Sequence, residues 1–448
     1  MPTVTEAIAG FIAGLTLETL PEAVAAKARA CLLNGYGIGL GCLTTPYTRV
    51  ARQAALAMDG ERPSGATLLG DGRRTSIAGA ALANAALFHG RAQEDTCGAA
   101  HLGAIMIPLL TAVIEARGLP CDRLLPALVA GYEAGGLLEH AYGRTTTPAG
   151  LRATPLYGAI AAAAAVGCLI DLRVPELAAA LANAASFSGG ILQSFADGTD
   201  EWRYQVGMTG IQGLNAVELA RAGSVSAPHA IEGRSGFVRA FVRRDCEAAE
   251  LLSSLGRDWS IHRVTFKPYP VCAFNQTPVM AALSMAEEIA GRPIAAVEVE
   301  MNPFECGYAG MDATGPFSSI SGTLMSIPFC IAATLLRGTP TMRMMTTYDD
   351  AEVNALVGRT ELKANPDIAI LSCRITVVLA DGSRIRRDEI KTTADFSFDW
   401  PGVSALVRRV GGEIGVTAQT YDRLERFVAN LPEGRVEDVV SCFAADRQ

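Results

Sequence analysis

The chain has 448 residues, half of them hydrophobic but only 6% aromatic, with 45 glycines and a formal net charge of -8. That length suffices for one large folded unit or two smaller ones, with a sizeable core and no need of covalent staples. The acidic balance, with a pI near 5.3, leaves no basic stripe to neutralise phosphates, which argues against nucleic acid as a partner but not against a small anion held by a few local Arg or Lys.

In chain order, the first residues, Met-Pro-Thr-Val-Thr-Glu, carry neither the basic start nor the apolar run of a signal peptide, so a cytoplasmic location is expected. Residues 5–32 read as two helices around Leu20-Pro21-Glu22, with Pro at an N1-like position. Residues 34–41 place Gly at alternate positions. They lack both the spacing and the preceding strand of a dinucleotide loop, and predict a small-residue helix packed closely on another. Helical patterns continue over 47–58, 75–90, 104–117, 121–142, 154–170, 178–188 and 207–221, with no convincing strand before residue 255. The apolar run 159–170 is too short to span a bilayer, so no membrane association is expected. Eleven cysteines are scattered without a C-x-x-C pair, which fits reduced thiols; Cys97 and Cys272 lie in polar stretches, where an inert role is expected.

The stretch 84–108 stands out. It interrupts two apolar helices with a dense polar turn holding Glu94, Asp95, Thr96 and His101, and with Gly98 and Gly103 at points where the backbone needs freedom. A carboxylate, a hydroxyl and an imidazole on one loop are what general acid/base chemistry on a small polar molecule requires, although a solvated loop with a capping Asp has the same composition.

The character changes near residue 261. Residues 264–267 and 295–301 alternate like strands, with Val297, Val299 and Met301 opposing Glu298 and Glu300. Residues 373–379 run into Asp381-Gly382, a strong hairpin signal, and the pattern resumes at Ser383. Helices over 277–288 and 324–336 lie between them. Residues 261–395 are thus expected to form a small α+β domain inserted as a lid into a helical domain made of 1–260 and 396–448, a mainly α fold with a smaller α+β domain.

Lys267 stands between a strand-like run and Pro-Tyr-Pro, a rigid turn suited to holding its side chain at the domain junction as base or as carboxylate partner. His101 serves equally as helix cap, core histidine or proton carrier. Asp95 could orient a cation or act as base, and Thr96 could bind a substrate oxygen. Arg152 and Arg203 are plausible carboxylate forks, Arg203 alternatively pairing with Asp197, Asp200 or Glu201. His89 sits among apolar neighbours and reads as structural. Tyr142 is a weak candidate acid. No His-x-x-x-His, His-x-Glu or cysteine cluster appears, so no metal is expected.

The sequence resembles the MmgE/PrpD family over nearly its whole length. The likeness is carried by Ala81-Leu-Ala-Asn84, His89, Asp95-Thr96, His101-Leu-Gly-Ala ahead of Pro108, Gly131-Tyr-Glu133, Trp202-Arg203 with Gly207, Gly223-Ser-Val-Ser with Ile231-Glu-Gly-Arg-Ser-Gly-Phe237, Lys267-Pro-Tyr-Pro270, and Ser326-Ile-Pro-Phe with Leu335-Leu-Arg-Gly338. The family includes 2-methylcitrate dehydratases, cis-aconitate decarboxylases and iminodisuccinate epimerases. The resemblance implies a large helical domain with a smaller α+β lid, a homodimer, no cofactor, and proton transfer beside a carboxylate of a di- or tricarboxylate bound between the domains. It places Asp95, Thr96, His101 and Lys267 in the site. Arg152 and Gln205 stand where many relatives carry His, Phe329 where Tyr is frequent, and Ala92 where some have an acid.

Overall fold

The computed structural model describes residues 2–444. Ten helices come first: α1 (Val4–Ala13), α2 (Glu22–Leu40), α3 (Tyr47–Asp59), α4 (Ile77–Phe88), α5 (Leu102–Arg117), α6 (Leu124–Thr146), α7 (Ala153–Leu169), α8 (Val174–Phe187), the short α9 (Gln193–Asp197) and α10 (Glu201–Arg221). Their Ala- and Gly-rich sequences have high helix propensity or small cross-section, so axes approach closely and α4, α5, α6 and α7 are buried almost all round. The alternate glycines of α2 show the cost of any larger residue: a Cβ at Gly37 would lie 2.5 Å from Val407, and one at Gly39 2.9 Å from Phe88.

The expectation of no strand before residue 255 needs correction. Two-residue strands β1 (Ala66–Thr67) and β2 (Arg74–Thr75) pair with each other, and β3 (Thr96–Cys97) lies in the polar loop. The strand predicted at 264–267 exists only as β4 (Val264–Thr265). It joins no sheet of the later unit but pairs antiparallel with β3, Thr96 opposite Thr265 and Cys97 opposite Val264.

Beyond it, β5 (Ile294–Met301), β6 (Thr360–Ala364), β7 (Cys373–Leu379) and β8 (Arg384–Glu389) form a four-stranded sheet in the order β6-β5-β7-β8. β7 and β8 are the hairpin around Asp381-Gly382, and Val297, Val299 and Met301 are buried while Glu298 and Glu300 stay partly open. β6, parallel to β5, gave no alternating signal because Glu361 and Lys363 flank a lone Leu362. Helices Gln276–Ser284 and Ile327–Arg337 cover this sheet's unit, and helices Trp400–Gly412, Ala418–Ala429 and Val436–Ala444 return to the first.

Two large apolar clusters result. One draws on Val4 through Phe266 together with Val403 through Phe443, the other on Val271 through Ile385 with Tyr47, Ala92, Leu192, Phe195 and Trp202 reaching in from the helical side. No helix among the described residues is long and apolar enough to cross a membrane.

Candidate active site

The loop between α4 and α5 is buried, not solvated: residues 91–97 are all inaccessible. Most of its polar side chains are therefore held by protein groups, as burial demands. Arg91 Nε donates to Gln93 Oε1 at 3.1 Å and its NH2 to Glu413 Oε1 at 2.8 Å, while Gln93 Nε2 donates to the Pro268 carbonyl at 2.8 Å. Thr96 Oγ1 meets Thr265 Oγ1 at 2.9 Å across the β3–β4 pair. Gly98, at φ +59°, turns the chain over the Glu139 carboxylate, where a Cβ would lie 1.9 Å from Oε2; Ala99 N–H donates to Glu139 Oε1 at 2.9 Å.

Pairing of β4 with β3 carries Lys267 to this loop, and the centre of the cluster so formed is Glu94. Its Oε1 lies 2.8 Å from His89 Nδ1, 2.5 Å from His101 Nδ1 and 3.3 Å from Lys267 Nζ. Oε2 has no partner, so all three contacts converge on Oε1. Arg152 NH2 reaches His89 Nε2 at 2.8 Å. A guanidinium only donates, so Nε2 accepts and the proton of a neutral His89 is on Nδ1, facing Glu94. The same carboxylate fixes the His101 proton on Nδ1 and leaves Nε2 bare.

Burial holds the His89 imidazole well below its usual range. It pushes His101 down to about 4, helped by the Lys267 charge and opposed by Glu94. Burial opposes ionisation of Glu94, yet its carboxyl stays well below the ordinary range through the charges of His89, Lys267 and His101. With both imidazoles neutral near pH 7, Lys267 is the cation that remains. His101, whose side chain is 16% exposed, opens with Lys267 and Thr96 onto an inner chamber of about 40 Å³, closed by Ala92, Phe195, Trp202, Cys272, Phe274 and Tyr308. Thr96, Lys267 and Phe274 also line an adjoining cavity of about 460 Å³, which Arg144, Arg263, Phe304 and Leu371 border. Together they reach the size usual for a small-molecule site.

Residues 6–248 match the model of the MmgE/PrpD N-terminal domain, and residues 269–401 that of the MmgE/PrpD C-terminal domain. The chain belongs to the MmgE/PrpD family. It is 24% identical to the cis-aconitate decarboxylase of Aspergillus terreus over 369 residues, 78% of this chain and 74% of that one. To the cis-aconitate decarboxylase of Mus musculus it is 24% identical over 409 residues, 86% and 81% of the two chains. A cis-aconitate decarboxylase-like protein of Aspergillus oryzae is 27% identical over 281 residues, 59% of this chain; the match spans only 58% of that relative's length.

In this MmgE/PrpD protein His101, Thr96 and Lys267 meet at one chamber, but other expected residues do not face it. Asp95, beside Glu94, turns the opposite way into the helical core, where Tyr132 Oη donates to its Oδ2 at 2.5 Å and burial raises its carboxyl to about 6. Arg152 is no free fork: NH1 donates to Trp202 O at 2.5 Å and Gln205 Oε1 at 2.9 Å, and NH2 meets His89. Gln205 is accordingly engaged with Arg152. Arg203 is sandwiched between Tyr47 and Trp202, 3.7 and 3.9 Å from their ring centroids, and pairs with Asp200 and Ser321. Tyr142 stands apart, against Cys246 at 3.5 Å and under Arg244, so the sequence reading of it as a nearby acid is corrected.

Sequence reasoning missed Glu94 as the hub and took His89 as merely structural. The available signal was polarity: His89, Arg91, Gln93 and Glu94 directly follow a mostly apolar helix, where buried polar groups need partners. Spacing motifs also missed that His89, Glu94 and His101 bring ligand atoms within 4.8 Å of one another, a set able to hold a cation. Lys267 at 3.3 Å from Glu94 and Arg152 at 2.8 Å from His89 already supply the positive charge there.

Proposed function

We propose that this protein is a cofactor-independent lyase or isomerase acting on a small di- or tricarboxylate, with His101 as the base that removes a proton from the carbon next to a carboxylate. The observation that carries this reading is the Glu94–His101 contact beside Lys267: a neutral imidazole, its Nδ1 committed to a buried carboxylate, opens onto the chamber with a cation 3.3 Å from the same carboxylate. Loss of the α-proton places charge on the adjacent carboxylate, and Lys267 stabilises that developing dianion where water is excluded. Dehydration follows when a β-hydroxyl leaves; epimerisation follows when the proton returns to the other face. Decarboxylation is the second reading, favoured by the similarity to cis-aconitate decarboxylases, and would use Lys267 in the same way while His101 handles the proton at carbon.

The test is a nuclear magnetic resonance screen of the purified protein in D₂O against di- and tricarboxylic acids. It should reveal α-deuterium exchange or turnover of at least one acid, and His101→Ala and Lys267→Ala should each lower the rate by about a hundredfold or more while the fold is retained. Near-normal rates in both variants would overturn the assignment. A homodimer, which the family resemblance implied, is part of this reading; sedimentation as a monomer at micromolar concentration would refute that part.

A further inference from the structure

The site has two spaces, and proton transfer at His101 uses only the inner one. A water needs about 10–15 Å³, so the inner chamber of about 40 Å³ takes the reacting carbon with its carboxylate and little else. The rest of any substrate extends into the adjoining cavity of about 460 Å³, which shares Thr96, Lys267 and Phe274 with the chamber. What that outer cavity offers is mainly apolar: Phe266, Phe274, Phe304, Ile370, Leu371 and Phe396 line it. Most of its polar side chains are engaged within the protein. Thr265 meets Thr96 at 2.9 Å, Glu139 accepts from Ala99 N–H at 2.9 Å, Gln276 Nε2 donates to the Tyr269 and Val271 carbonyls at 3.0 Å each, and Arg263 pairs with Asp258. Leu371 is kept in this wall against backbone preference. Its φ of +63° is unfavourable for a branched side chain, yet Glu305 Oε1 accepts from its N–H at 3.0 Å and Thr277 Oγ1 donates to its carbonyl at 2.8 Å, fixing it there.

We propose that the outer cavity binds an alkyl substituent of several carbons, so that the substrate is an alkyl-substituted di- or tricarboxylate. The inference rests on the lyase or isomerase reading above and narrows its substrate class. Lys267, bordering both spaces, keeps the carboxylate head at their junction beside His101, and the alkyl chain runs past Phe274 against Phe304, Ile370 and Leu371. Each methylene moved from water onto these walls adds affinity. A polar substituent in the same place would give up its water for walls whose hydrogen-bonding groups are mostly engaged, and would bind no better than none.

Titration calorimetry of the full chain with succinate, methylsuccinate, butylsuccinate and hexylsuccinate tests this without turnover. Affinity should rise about two- to fourfold per added methylene, so hexylsuccinate should bind at least about thirtyfold more tightly than methylsuccinate. Ile370 is only partly buried, so a larger side chain there fills the cavity without entering the core. Ile370→Trp should bring hexylsuccinate down to the affinity of methylsuccinate while leaving methylsuccinate unchanged. Should that variant fail to fold, the wild-type series alone decides. Equal affinities for methyl- and hexylsuccinate, binding of none of the four, or a gain per methylene that survives in folded Ile370→Trp would each overturn the proposal. The lyase or isomerase reading is judged separately, by α-deuterium exchange and turnover in D₂O, so either can fail while the other is seen to hold.

Discussion

At the residue scale, one buried oxygen organises the chemistry: Glu94 Oε1 touches two imidazoles and an ammonium. Removing one partner of such a set leaves an uncompensated charge, so the set acts as a unit. His101 is kept at about 4 first by burial and then by the Lys267 charge. As a base it works only when unprotonated, so kcat/KM should be flat near neutrality and fall on the acid side with a midpoint near pH 4. Lys267→Gln removes a charge that disfavours the imidazolium, so the acid limb should move to higher pH in that variant, beyond any loss of rate. A limb that stays in place, or moves down, would show that Lys267 does not act on His101. Activity should also survive exhaustive chelation, since Lys267 and Arg152 already provide the positive charge at the His89–Glu94–His101 set; loss on chelation with recovery by one divalent ion would contradict this.

At the scale of elements, one turn of α6 holds both arms of the site. Tyr132 donates to Asp95 in the loop, and Glu133 accepts from Ile261 N–H at 3.1 Å, just ahead of β4 and Lys267. Gly103, at the start of α5, leaves room for this: a Cβ there would lie 2.1 Å from Asp95 Oδ1 and 2.7 Å from Tyr132 Oη. The Tyr132 anchor thus holds Asp95 in the helical core, next in the chain to Glu94. Tyr132→Phe strands Asp95 without its donor in the core, a change of roughly 1–3 kcal/mol in stability. Chemical denaturation should detect it, and turnover should fall with KM little changed; an unaltered midpoint would mean the contact is not needed. Much at this scale could be read beforehand. Helix after helix follows its apolar period, and Asp381-Gly382 marks its hairpin. The β3–β4 pair could not be read, because two residues carry no period and their partner lies 169 positions away. The direction of Asp95 against Glu94 was equally hidden, since adjacent acids in an irregular loop have no periodicity to tell core from cavity.

For the whole molecule, two cores meet at the chamber, and their junction is where charged groups are buried without solvent. The change of period near residue 261 is visible in the sequence, whereas the contribution of Phe195, Trp202 and Tyr308 to one chamber depends on packing that a single sequence does not display. Burial also sets how the fold responds to pH. Glu133, Glu139 and Glu305 are each pushed up by burial to about 7, from an ordinary 4.5. A carboxyl whose folded value lies above its unfolded one binds more protons in the native state between those two values. Its stabilising effect is therefore complete below about 4.5 and is lost as pH rises through 7, at most about 3 kcal/mol per group. His89, His101 and Glu94 act in the other direction, because acid must charge buried imidazoles and neutralise the hub. Stability measured by denaturation should thus be greatest in mildly acidic solution and decline between about pH 5 and 8. The net charge of -8 contributes to the same decline by self-repulsion, so a variant is needed to isolate the buried groups. Glu139→Gln keeps an oxygen to accept from Ala99 N–H but cannot ionise; it should flatten the decline while leaving the acid side unchanged. Stability that rises steadily to pH 8, or a Glu139→Gln profile parallel to the wild type, would show that this carboxyl is not held protonated by its burial.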